Sequence, residues 1–62
     1  MTKLKVVLGL FSGSSIESEN ETVHCKAYAS QESKYLNKYG FFLLKYNSEL
    51  KWWIIIDYVE YC

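Results

Sequence analysis

Gln31-Glu-Ser-Lys-Tyr-Leu-Asn-Lys-Tyr-Gly-Phe-Phe-Leu-Leu-Lys-Tyr46 is the stretch whose reading decides the fold class. At helical spacing, Leu36, Tyr39 and Leu43 form an apolar stripe, widened on one flank by Tyr35, Phe42 and Tyr46. Lys34, Lys38, Phe41 and Lys45 run along the opposite side, with Phe41 the odd apolar member of a solvated face. Ser30 can accept a hydrogen bond as N-cap, Glu32 suits the positive end of the helix dipole, and Asn47-Ser48 can end the helix. Gly40 falls in the middle, at a cost of about 1 kcal/mol relative to Ala, and would permit close approach to a sheet or a partner. The spacing predicts a helix over residues 31–46.

Strands are expected on either side of it. Residues 3–11 alternate, with Leu4, Val6, Leu8 and Leu10 taken as the core face. Ser12-Gly13-Ser14-Ser15 breaks the chain, and the polar stretch Glu17 to Glu21 leads into a second strand with Val23, Cys25 and Ala27 on one side. The last strand, from Lys51 to Val59, places Trp52, Ile54, Ile56 and Tyr58 on one face and Trp53, Ile55 and Val59 on the other. The order β-β-α-β then gives a single α+β domain over residues 1–62. Its three-stranded antiparallel sheet has strand order 2-1-3, with one helix packed on one face. That packing leaves Lys5, Val7, His24, Trp53 and Ile55 on the open face, where Val7, Trp53 and Ile55 begin an interaction patch.

A chain of 62 residues buries only about 60% of the surface its unfolded form exposes, so a second apolar face asks for a second body. Half the residues are hydrophobic and proline is absent, the composition of a folded domain. Seven lysines balance seven carboxylates with no arginine, which argues against direct nucleic-acid binding and for a protein partner. Cys25 and Cys62 could pair, but one bridge to the last residue is a weak staple. Cys25 reads better as a buried hydrophobe and Cys62 as a free thiol in a reducing compartment. The apolar run Val6 to Phe11 is shorter than the signal-peptide core of about 7 to 15 residues, and no run approaches the ~20 residues that span a bilayer.

Catalytic and cofactor constellations are missing. His24 and Cys25 fall on opposite faces of a strand and cannot form a nucleophile and base pair. The two cysteines and one histidine lack the spacing of a zinc site, and Gly9 to Gly13 lacks the ending of a phosphate loop. The sequence therefore predicts no enzyme, metal or cofactor. Aromatic side chains outside the expected core, Tyr28, Phe41 and Trp53, are candidate partner contacts.

Length, the opening Lys5-Val6-Val7 strand, the β-β-α-β order and single positions at Glu21, Lys26, Leu43, Lys45, Lys51 and Asp57 resemble the Dmd antitoxin family of T4-like bacteriophages. The resemblance implies a phage protein in the cytoplasm of the infected bacterial host. It would bind an endoribonuclease toxin of the RnlA or LsoA type, wedge into its groove and protect phage messenger RNA. Two positions of the family's contact surface, at the helix start and middle, fall on Gln31 and Gly40. Their side chains differ from the family's, and Tyr28 or Tyr35 would supply aromatic bulk. The expected partner-binding set is Tyr28, Gln31, Lys34, Tyr35, Lys38, Gly40, Phe41 and Trp53. Two alternatives stand beside it: a self-associating module, with a homodimer through the open face, and a single-strand nucleic-acid binder using Lys34, Lys38, Phe41 and Lys45.

Overall fold

A computed structural model of the chain describes residues 2–61; the Cys62 thiol lies outside them. The chain runs β1 (Leu4–Phe11), β2 (Ser15–Glu17), β3 (Thr22–Lys26), α1 (Glu32–Tyr35), β4 (Tyr39–Asn47) and β5 (Trp52–Glu60). The strands close into a barrel of order β1-β2-β3-β5-β4, with β4 returning to β1. Three strands joined in succession, with the fourth laid beside the first, make a Greek key. β5 fills the gap between β3 and β4. Every neighbouring pair is antiparallel except β3 and β5, which pair in parallel through Cys25 with Trp53 and Lys26 with Ile54.

The expected α+β sheet with a packed helix is overturned, and residues 31–46 are where it fails. Helix α1 stops after one turn: Leu36 turns to extended backbone at ψ 132, and Asn37 follows in the left-handed region at φ 61, a conformation Asn tolerates. Its N–H donates to the Phe11 carbonyl at 2.9 Å, and the Phe11 N–H donates to the Lys38 carbonyl at 3.1 Å. These two bonds stitch the chain to the end of β1, and residues 39–47 continue as a strand. Gln31, not Ser30, occupies the N-cap, and no side chain caps there. Asn47 ends β4 instead of a helix, its Oδ1 accepting the N–H groups of Glu49 and Leu50, both at 3.0 Å.

Gly40 has a structural reason in this arrangement. It pairs with Gly9 across β1 and β4, and a Cβ on Gly40 would lie 2.4 Å from the Val59 carbonyl oxygen. A Cβ on Gly9 would likewise lie 2.4 Å from the Glu17 carbonyl oxygen. These two positions face inward at the tightest part of the barrel, which fixes the face of each strand. The inner side of β1 therefore carries Val7, Gly9 and Phe11, and Leu4, Val6 and Leu10 point out. This is the reverse of the core face expected from hydrophobicity.

A similar inversion affects β5. Leu43 pairs with Asp57 and Leu44 with Ile55, leaving Ile56 as the extra residue of a bulge. Alternation breaks there. Ile55 is fully buried, and Val7 is buried beside it in the core, so the expected open face of Val7, Trp53 and Ile55 does not exist. A closed barrel also leaves no edge strand to pair with a symmetry mate.

Candidate binding surfaces

Two surfaces stand out from the rest of the barrel. The first is the outer side of β1, β4 and β5. Across these strands Val6 is opposite Leu43, Leu8 is opposite Phe41, and Phe41 is opposite Val59. Leu10 is opposite Tyr39, whose ring meets Tyr61 edge-on at 5.7 Å. Val6 is 64% exposed, Val59 62% and Phe41 40%. Alternation along a barrel strand should place polar residues outside; here the outside of β1 is Leu, Val, Leu, Leu. Lys45 and Asp57 are the charges on the adjoining rows. A contiguous apolar surface with a charged margin is the usual composition of a protein contact.

The second surface lies at the barrel end where β3 and β5 begin. Lys5, Glu21, His24, Tyr46, Lys51, Trp52 and Trp53 line an open cleft of about 550 Å³. Each large ring has a lysine over or beside it: Lys5 Nζ lies 5.9 Å from the Trp53 ring centre, Lys26 Nζ 5.0 Å from Trp52, and Lys3 Nζ 5.4 Å from Tyr46. Tyr46 meets Trp53 edge-on at 5.3 Å, and His24 tilts over Trp52 at 6.3 Å. Lys5 also bonds Glu21 at 3.2 Å.

The expected contact residues do not form one site. Tyr35 is only 3% exposed and plugs the other end of the barrel against Phe42 and Tyr58. Lys34 lies over the Tyr35 ring, Gln31 and Lys38 flank α1, and Gly40 is buried against β5. Phe41 belongs to the apolar outer face, Trp53 to the cleft, and Tyr28 sits apart, exposed beside Lys45 and Ile56. With residues 31–46 split between helix and strand, Lys34, Lys38, Phe41 and Lys45 share no helical stripe. Sequence reasoning passed over Leu4, Val6, Leu10, Val59 and Tyr61. The signal was present in β1, whose two sides are both rich in apolar residues.

Cys25 is buried and free. Burial pushes its thiol up to about 11, against a smaller downward pull from a hydrogen bond with the Ile16 backbone, so it stays protonated and unreactive at neutral pH. His24, its neighbour in sequence, is exposed. Among the described residues no three His, Cys, Asp or Glu side chains gather as a metal site, and no helix is long and apolar enough to cross a membrane. Comparison with family models, curated proteins and solved structures finds no match.

Proposed function

We propose that this protein is a non-catalytic binding module, and specifically an antitoxin that occupies the groove of a host endoribonuclease in the infected bacterial cytoplasm. The observation that carries the reading is the apolar outer face of β1, β4 and β5, centred on Val6, Phe41, Leu43 and Val59. Exposing these side chains gives the free protein nothing, whereas a partner that covers them recovers about 25 cal/mol for each Å² of apolar area. A closed barrel engages through side chains rather than by adding a strand.

The kind of partner comes from the family resemblance, from which the β-β-α-β order has now been removed. Length, the opening strand and the single positions remain as its support. Of those positions, Leu43, Lys45 and Asp57 lie on or beside the apolar face.

The test is co-expression with an RnlA-type or LsoA-type toxin, scoring growth and messenger RNA survival, followed by co-purification. The wild type should restore growth and purify with the toxin, and a folded Val6→Asp, Phe41→Asp variant should do neither. Continued killing by both toxins, with folded wild-type protein and no complex, would refute the antitoxin reading. Sedimentation of the isolated chain separates a second use of the same face, since a dimer dissolved by the Asp substitutions would make a second copy the occupant.

A further inference from the structure

The cleft at the open end of the barrel carries an inference independent of the apolar face. We propose that it binds short single-stranded nucleic acid, with bases stacking on Trp52 and Trp53 and phosphates taken by Lys5, Lys26 and Lys51.

Three observations support this. The first is the pairing of each indole with a lysine, Lys26 over Trp52 and Lys5 over Trp53. Both rings are half-buried, and a lysine over such a ring is held by about 1 kcal/mol, with the ion pair of Lys5 to Glu21 adding at most about as much again, so the ammonium can leave the ring for a phosphate at modest cost. The same movement uncovers the π-face for a base, and stacking platforms interleaved with cations are what sequence-tolerant single-strand binding requires. The second is Lys51, held in the left-handed region at φ 55 in the turn that Asn47 braces. Glycine or asparagine would sit there with less strain, and the lysine puts an ammonium on the cleft. The third is the Trp52 indole N–H, which is buried without an acceptor in the protein. A donor left unmet in this way is costly, and the exocyclic oxygen of a base that reached it would satisfy it.

The overall charge of zero conceals a local imbalance. Lys3, Lys5, Lys26 and Lys51 gather around this end. Against them stand Glu21, engaged with Lys5, and Glu49, which shares a separate depression with Lys3. The remaining excess suits a few phosphates rather than a long duplex tract, and the pocket's size is that of a small ligand.

Tryptophan fluorescence of the full chain titrated with a uridine dodecamer at low salt tests the proposal. Binding should quench the emission with a Kd tighter than about 0.1 mM, the weak end of non-specific association. Trp52→Ala should weaken it about 5- to 100-fold. Lys51→Gly is the sharper variant, because it relieves the backbone and removes the ammonium together. It should leave the melting temperature unchanged or raised while weakening binding, and should lower the slope of log K against log salt by about 0.7. No quenching at 0.1 mM oligonucleotide would overturn the proposal. So would binding indifferent to both substitutions, or equal quenching by a polyglutamate of the same length, which would identify an acidic protein segment as the ligand. None of these readouts involves a toxin, so this proposal and the antitoxin reading can fail separately.

Discussion

At the α1 end of the barrel, Phe42 meets Tyr58 at 4.7 Å and Phe11 at 6.1 Å, with Tyr35 closing over them. At the opposite end, Tyr46 and Trp53 meet at 5.3 Å, but lysine side chains lie against the rings in place of further aromatic residues. Both clusters are aromatic, phenylalanine and tyrosine at the first end and tyrosine and tryptophan at the second. The difference lies in what completes them. One turn of helix delivers Tyr35 as a plug, whereas the β4–β5 turn at Ser48 to Lys51 brings only Lys51 to the cleft. An aromatic cluster closed by aromatic rings is core, and one edged by lysines is left half-buried at an open cleft.

Substitutions can break this contrast. Phe42→Ala, in the closed end, should cost about 3 to 5 kcal/mol. A chain of this length has a total stability of roughly 3 to 9 kcal/mol, so thermal unfolding followed by circular dichroism should show a melting temperature lowered by at least about 12 °C. A next largest effect comes from Cys25, whose protonated form the fold favours. Below the ordinary thiol value near 9 its contribution is complete; as pH rises from there to about 11, the unfolded chain ionises first and stability falls. The loss should approach 2 to 3 kcal/mol in denaturant titrations from pH 8 to 11, and Cys25→Ala should lack that component.

Gly40→Ala would force a methyl group onto the Val59 carbonyl and the Tyr58 ring. Its expected cost is about 1 to 3 kcal/mol, where a helix containing residue 40 would gain about 1 kcal/mol from the same change. The sign alone separates the two folds. At the open end, Lys5→Met removes an exposed ion pair and a cation over Trp53 and should cost less than about 1 kcal/mol. A loss as large as that of Phe42→Ala would show that the lysines are structural and erase the distinction between the two ends.

How much of this was legible depended on whether local pattern or barrel closure governed each segment. Strand residues 22–26, with Val23 and Cys25 inward, follow from simple alternation and are found so. The last strand was legible in extent, but the bulge at Ile56 is a property of its pairing with β4 and leaves no mark in the sequence. Residues 39–45 contain six consecutive uncharged positions, compatible with either period. The choice was made by Asn37 and Gly40, whose left-handed turn and close packing outweigh the helical spacing of the leucines. In β1 alternation points the more apolar face at the core, while Gly9 requires the opposite. The outer patch could not be located until that inversion was known, because exposed and buried apolar residues have identical composition. Trp53, expected on an open face, is half-buried against the core, and the lysine over its ring, Lys5, comes from β1, distant in sequence.

Both candidate surfaces depend on residues 39–47 being a strand beside β1, and that register can be measured directly. Proton nuclear magnetic resonance of the free chain should show cross-strand backbone contacts joining Val7 with Phe42, Leu8 with Phe41, and Gly9 with Gly40. Sequential amide contacts characteristic of helix should end by Asn37. An unbroken run of such contacts from Gln31 to Tyr46, with none reaching β1, would contradict the barrel and remove both binding surfaces with it.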